Sequence, residues 1–335
     1  MAFAQTDDPG RTAVAGELSL HYKMVCRGFK NGNLTPVLGA GASLFGRPPD
    51  SDEWHGPPSS SELAVHLARE FDMESSPTNL LEVAQWIATM QGGSSPLYFA
   101  LHDVFNRELP TTKLHEFLAS VPGRLREAGK LRRPPLIVTT NYDDLLEKAF
   151  STQGEPFDLV AYVAEGADKG CFLHQSPDGD LTLIEKPEDY DAVNPDTRTV
   201  IVKLHGFVNK SDPDQDSYVI TEDHYIEYLG REGRSGRADL RDRLPTDVMV
   251  RLNNCHLLFL GYSLHDWNLR AILYELYDSN KGKNSWWSIQ RDCSDVERAS
   301  WRHHGVEMRD TPLEDYLEGL SAAFDTFLAE QAGAA

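Results

Sequence analysis

The sequence predicts an α/β protein built on a doubly wound parallel sheet, with an inserted helical module. Three observations point there. Short apolar runs such as ValLeu at 37–38, LeuIleValThrThr at 136–140, ThrValIleValLys at 199–203 and HisLeuLeuPheLeu at 256–260 lack the alternation of a half-exposed strand, as strands buried on both faces do. Each run ends in small or polar residues and is followed by a segment that can turn helical, the order of a sheet with crossover helices. A long stretch of helical periodicity, about 59–130, separates the first run from the second. In such a sheet ligands gather at the C-terminal strand ends, near the point where the strand order reverses.

The elements follow in order. Residues 17–31 suit a helix leading to a first strand at 35–39. The turn Gly39, Ala40, Gly41, Ala42, Ser43 is nearly free of side chains and opens toward a helix. A turn of this kind lets backbone N–H groups approach a pyrophosphate, which makes it a candidate dinucleotide site, although such turns also serve strand–helix packing. A Pro/Ser/Gly-rich loop covers 46–60. SerSerSerGluLeu at 59–63 reads as a helix N-cap, with Leu63, Leu67 and Phe71 on one face. Further helices fall at 79–91, 96–108 and 111–120. ProPro precedes the strand 136–140, and a helix begins near 143. Residues 151–196 are rich in Asp, Gly and Pro, with a short strand at 181–184. Strands follow at 199–206, 217–221, 256–263 and 285–290, and helices from Glu222, over 266–278 and over 313–330. The domain reading is an N-terminal extension and helix (1–32), a sheet domain (33–310) carrying the helical module, and a C-terminal helix and tail (311–335).

Composition narrows the function. A net charge of −20 argues against non-specific nucleic-acid binding, which needs cations to displace counterions. The best basic candidate, Arg231 to Arg243, reads more simply as a solvated loop and helix face. No apolar run approaches the roughly 18 residues that suggest a membrane span. The N-terminal residues lack the pattern of a signal peptide, so the expected location is cytoplasmic, with no membrane partner. Cys26, Cys171, Cys255 and Cys293 form no CxxC pair, so neither a zinc ribbon nor any other metal site is expected. Cys255, ahead of an apolar run, suits a buried position. His55, His174, His224, His265, His303 and His304 have no metal-ligand spacing and read as surface or packing residues.

Four strand ends carry candidate site groups. The first offers Gly39, Ala40, Gly41 and Ser43; the second Thr140, Asn141 and Asp143. The third offers Lys203 and His205; the fourth Gly261, Tyr262, Ser263 and Asp266. Each has a plainer alternative. Asn141 and Asp143 can cap the next helix, His205 can be a satisfied core histidine, and Ser263 and Asp266 can be a helix cap. Their convergence on one sheet edge favours a site.

GlyAlaGlyAlaSer, ThrThrAsnTyrAsp, LysLeuHisGly and PheLeuGlyTyrSerLeuHisAsp occur in that order over roughly residues 33–275. This order resembles the sirtuin-like NAD-binding family, in the zinc-less bacterial branch of anti-phage defence NADases. ThrGluAspHisTyr at 221–225 is also similar. The resemblance implies a Rossmann-like sheet without a zinc ribbon and NAD as substrate. It implies pyrophosphate binding by Gly39, Ala40, Gly41 and Ser43. Thr140, Asn141 and Asp143 fall at the ribose–nicotinamide end, and Gly261, Ser263 and Asp266 on the adenosine side. His205 becomes the catalytic base, with Asn141 as its catalytic companion. Two departures stand out. Deacetylating sirtuins carry two CxxC pairs, absent here, and their segment after the glycine turn is replaced by GlyArgProProAsp at 46–50, so no nicotinamide role is carried to Asp50.

The activity so implied is cleavage of NAD to nicotinamide and ADP-ribose, in abortive infection. Such an enzyme must stay silent until triggered. The expectation is therefore a homo-oligomer with a separately encoded partner, such as a HerA-type ATPase or an Argonaute-like protein. The 59–120 helices and the C-terminal helix are candidate contact surfaces. Two other functions stay open: a non-catalytic NAD or ADP-ribose sensor, and an NAD-dependent protein deacylase.

Overall fold

The computed structural model describes residues 9–47, 56–74, 77–230, 243–262 and 284–330. Its centre is a nine-stranded sheet of β1 (Leu34–Leu38), β2 (Leu136–Thr139), β3 (Phe157–Tyr162), β4 (Phe172–Gln175), β5 (Leu181–Ile184), β6 (Thr199–Lys203), β9 (His256–Leu260), β10 (Trp286–Gln290) and β11 (Val306–Asp310). The order is β11-β10-β9-β1-β2-β6-β3-β4-β5. Every pairing is parallel except β3 with β4 and β4 with β5. Strands β7 (Gly206–Phe207) and β8 (Ser217–Tyr218) form a separate two-stranded ladder. The chain builds outward from β1 through β2 to β6 and β3, then returns to the other side of β1 with β9, β10 and β11. The strand order thus reverses between β1 and β9.

Alternate residues of the strands feed two cores, which is why the apolar runs are continuous. On one face Val138, Val202 and Phe259 pack with Val248, Met249 and Leu252 of helix α9 (Thr246–Asn253) and Trp301 of α10 (Asp295–His303). On the other, Ile137, Ile201 and Leu258 pack with α1 (Pro9–Asn31), α6 (Lys113–Glu127), α7 (Leu145–Thr152) and α11 (Leu313–Ala329). Burying a Leu or Ile on either face contributes roughly 1.5–3 kcal/mol. A third core holds the helical module. Leu63 and Leu67 of α3 (Ser60–Glu70), Val83 and Ile87 of α4 (Leu80–Met90) and Leu97 and Leu101 of α5 (Ser95–Phe105) pack against Tyr218 and Ile220. Ser59 and Glu62 close the expected capping box on α3. Helix α8 (Glu222–Gly230) follows β8, and the Gln85 side chain of α4 donates from Nε2 to Asp223 Oδ2 at 2.9 Å and accepts at Oε1 from the Asp223 N–H at 3.1 Å.

Several elements differ from the sequence-based expectation. The glycine turn opens only a four-residue helix, α2 (Ala40–Ser43). Strands β3, β4 and β11 and helices α9 and α10 were not anticipated. β4 alternates buried with half-buried positions, β5 at the sheet edge buries only its last residue, and α10 buries only Trp301. Elements with so few core contacts leave a weak periodic signal. The predicted helix 266–278 lies outside the described residues. All four cysteines are free thiols, and Cys255 is buried as expected.

The helices flanking β10 hold a buried titratable group. His21 of α1 bonds the Tyr316 hydroxyl at 2.7 Å and meets Trp287 edge-on at a 5.0 Å centroid distance. Burial, aided by the charge of Arg309, lowers its pKa to about 4. The unfolded chain therefore binds a proton that the folded chain rejects. Stability from this group is complete above the ordinary histidine value near 6.5 and is lost as pH falls toward 4. The loss reaches about 3 kcal/mol in full. Urea denaturation at pH 7.5 and pH 5 should show a drop that His21→Phe reduces by about 2 kcal/mol, the buried His115 and His256 keeping a share of it; an equal drop in the variant would contradict this assignment.

Candidate functional site

The C-terminal ends of the central strands open into a cavity of about 760 Å³, in the size range of cofactor sites. Gly39, Ala40 and Ser43 enter it after β1, Thr140, Asn141, Tyr142 and Asp143 after β2, His205 after β6 and Tyr262 after β9. The opposite wall comes from the helical module (Leu63, Leu80, Phe105) and from α8 (Glu222, Tyr225, Ile226). Eight of the residues chosen from sequence therefore meet in one cavity: Gly39, Ala40, Ser43, Thr140, Asn141, Asp143, His205 and Tyr262. Gly41 and Gly261 stand behind its wall. Ser263 and Asp266 lie outside the described residues.

Gly41 and Gly261 act through close approach. The Gly41 N–H donates to the Gly261 carbonyl at 2.8 Å, and the Gly39 N–H to the Leu260 carbonyl at 3.1 Å. Gly261 has φ +65°, and a Cβ there would lie 2.2 Å from the Ala42 nitrogen. The turns after β1 and β9 are thus joined backbone to backbone at the point of strand reversal. The N–H groups of Gly39 and Gly41 are thus both spent on the β9 end, and the residues of the turn that line the cavity are Gly39, Ala40 and Ser43.

Asn141 is held by a network that fixes its amide. Its Nδ2 donates to the Gly39 carbonyl and to Ser43 Oγ, both at 3.0 Å. Ser43 Oγ donates in turn to Asp143 Oδ2 at 2.8 Å, and Asp143 Oδ1 accepts from the Leu145 N–H at 3.2 Å. A carbonyl can only accept, so the Gly39 contact sets which end of the amide is nitrogen. Both amide protons are spent, and Oδ1 remains as an acceptor. The Asn141 N–H donates to Thr139 Oγ1 at 3.1 Å. Asn141 is half-buried and Asp143 buried, so this chain of bonds works where water competes weakly.

His205 sits at the floor of the cavity, only 3% exposed. Its ring stands edge-on to Tyr225 and Tyr228, at centroid distances of 5.8 and 6.1 Å. Its carbonyl accepts from the Val219 N–H at 2.8 Å. The glycine after it is structural: Gly206 has φ +91°, and a Cβ there would lie 2.0 Å from the Ser217 carbonyl oxygen. The HisGly pair therefore turns β6 sharply into β7 and leaves His205 on the cavity floor.

Beneath the Asn141 loop lies a fully buried cation. Lys203 Nζ donates to the Asp143 carbonyl at 2.5 Å, to Glu147 Oε1 at 2.6 Å and to the Tyr142 carbonyl at 3.3 Å. Burial raises the Glu147 pKa, against the pull of the Lys203 charge. His115 of α6 is also buried near Asp143; desolvation lowers its pKa and favours the neutral ring. Sequence reasoning missed His115, and it gave no role to the cavity residues Tyr142, Glu222 and Tyr225 although they lie within the quoted motifs ThrThrAsnTyrAsp and ThrGluAspHisTyr. For His115 the signal is proximity across the fold, not spacing along the chain. Among the described residues no cluster of three or more His, Cys, Asp or Glu side chains is arranged to hold a metal. No described helix is long and apolar enough to cross a membrane.

The sequence is similar to known proteins. Residues 135–308 match the SIR2-like domain family. The chain is 22% identical over 242 residues to defense-associated sirtuin 2 of Bacillus subtilis, covering 69% of this chain and 19% of that protein. It is 28% identical over 211 residues to NAD(+) hydrolase ThsA of Acinetobacter baumannii (strain 532279), covering 63% of this chain and 33% of that protein. The chain thus spans a fifth to a third of the length of these relatives.

The joined turns make a direct prediction. Gly261→Ala must leave its positive φ and clear the Ala42 nitrogen, which should destabilise the protein by at least about 2 kcal/mol in urea denaturation. A variant as stable as the parent would show that the close approach is not required.

Proposed function

The chain belongs to the SIR2-like domain family, and on that premise we propose that it hydrolyses NAD to nicotinamide and ADP-ribose at the cavity described above. The observation that carries this reading is the meeting of Asn141, with its amide oxygen left as acceptor, and His205 in a single NAD-sized cavity. The hydrolase named among the relatives supports it.

The chemistry asks little of an acid. Breaking the bond between ribose C1′ and the pyridinium nitrogen returns the bonding pair to nicotinamide, which leaves neutral. Positive charge builds on the ribose, as in glycoside cleavage. Water then bonds C1′ and gives up a proton. His205, whose imidazole is a side chain suited to general-base work, takes that proton. Asn141 Oδ1 accepts from a ribose hydroxyl or from the attacking water and so orients it. Asp143 holds Ser43 and, through it, Asn141, and it places negative charge near the developing cation. Gly39, Ala40 and Ser43 face the pyrophosphate, while Gly41 and Gly261 allow the two turns to touch. Thr140 lines the ribose end. The family resemblance assigns Ser263 and Asp266 to the adenosine side.

We further read the enzyme as an effector of anti-phage defence by abortive infection. It acts in the cytoplasm as a homo-oligomer restrained by a partner, of the HerA-type ATPase or Argonaute-like kind. The name of the Bacillus subtilis relative supports the defence role. Light scattering over a concentration series tests the assembly: a monomer at every concentration would count against it.

Nicotinamide release from NAD tests the activity itself. His205→Ala should lower the rate by about 10²–10⁴-fold, the usual cost of a lost general base, while NAD binding measured by calorimetry is largely kept. Turnover by the variant at the parent's rate would remove His205 from the role of base.

A further inference from the structure

The Asn141 loop and His205 belong to separate strand ends, and neither fixes the other through its own side chain in the bonds described above. One side chain does join the two segments. Lys203 is the last residue of β6, two positions before His205, and its ammonium reaches under the β2–α7 loop. Its three protons are matched by three acceptors: the carbonyls of Tyr142 and Asp143, which directly follow Asn141, and the carboxylate of Glu147 on α7. It has no exposed surface. The Tyr142 carbonyl also accepts from the Val208 N–H at 3.0 Å, so the loop is gripped from both strand β6 and the segment beyond β7.

A wholly buried ammonium is costly for a protein to keep, and an apolar side chain often replaces a buried ion pair without loss of stability. Packing alone therefore gives no reason for a lysine here. The bonds give one. They tie the peptide units after Asn141 to the strand that delivers His205, and leave Lys203 out of the cavity lining.

We propose that Lys203, with Glu147 as its counterion, is a positioning residue that sets the placement of Asn141 relative to His205. The inference rests on the NAD-hydrolase reading for its catalytic consequence. Displacement of about 1 Å at such a pair can cost roughly 10²-fold in rate, because reacting groups must be held near their productive geometry. Lys203 touches no substrate, so its effect falls on kcat and leaves binding of the dinucleotide nearly unchanged.

Lys203→Met alone leaves Glu147 buried beside an apolar side chain and can fail to fold. The informative protein is the double variant Lys203→Met/Glu147→Met, which removes the pair together. Its melting temperature should stay near the parent's, and its Kd for a non-cleavable carbocyclic NAD analogue should stay within about threefold. Its kcat for nicotinamide release should fall at least about tenfold with KM little changed. Added to Asn141→Ala, the same two substitutions should cause no further loss, because they act through that residue. A double variant with kcat within twofold of the parent, or a full further loss in the Asn141→Ala background, overturns the proposal. If the parent itself releases no nicotinamide, the hydrolase reading fails separately. Hydrogen exchange then decides the positioning claim. The amides of 141–145 should exchange at least about tenfold faster in the double variant than in the parent, and equal rates overturn it. The same exchange comparison applies by urea titration to a double variant that is only marginally stable.

Discussion

The contact between the turns after β1 and β9 governs the rest of the site. Where the strand order reverses, two backbones meet with no side chain between them, and the Gly41 N–H is bonded to the Gly261 carbonyl. That closure bends the chain after β1 tightly enough to bring Ser43 to Asn141 and Asp143. A bulkier turn would push Ser43 away and leave the Asn141 amide free to rotate. The glycines therefore serve chemistry at one remove, by fixing a hydroxyl that fixes an amide.

The cavity combines two kinds of wall with different physics. The strand-end side is polar and tightly bonded, with backbone carbonyls, Ser43 and Asp143 accounting for one another's hydrogen bonds. The opposite side draws its apolar surface from Leu63, Leu80 and Phe105 of the module and Ile226 of α8. An apolar wall lowers the local dielectric and strengthens charge interactions across the cavity. The Gln85–Asp223 pair clasps the module to α8 at the exposed rim of this wall. The fold thus separates the rigid chemistry, on the sheet, from the surrounding enclosure, on helices.

Much of this was legible in the sequence, and the boundary of legibility has physical causes. Strands buried on both faces announce themselves as continuous apolar runs, so β1, β2, β6, β9 and β10 and the ends they present could be read directly. That is why Asn141, Asp143, His205 and the glycine turn were found, although the matched family segment begins only at residue 135 and excludes the turn. β3, FDLVAY, hides a polar Asp158 in its apolar run, because His174 and Arg198 bond that carboxylate. β11, ValGluMetArgAsp, buries only its first residue. The role of Gly41 was only half visible: spacing shows a tight turn, but not that its N–H is spent on Gly261. Lys203 stood in view at a strand end, yet nothing along the chain shows that its ammonium turns under a loop some sixty residues earlier. Such a link exists only once β2 and β6 are paired.

The central claim is that the dinucleotide lies in the cavity between the strand ends and the helical module, with its nicotinamide ribose at Asn141 and His205. A crystal structure with the carbocyclic NAD analogue tests it most directly. The ribose of the nicotinamide half should lie within hydrogen-bond reach of Asn141 Oδ1, with C1′ accessible to a water near His205 and the pyrophosphate against Gly39 and Ala40. An analogue seated elsewhere, or seated here with its nicotinamide end turned away from Asn141 and His205, would contradict it.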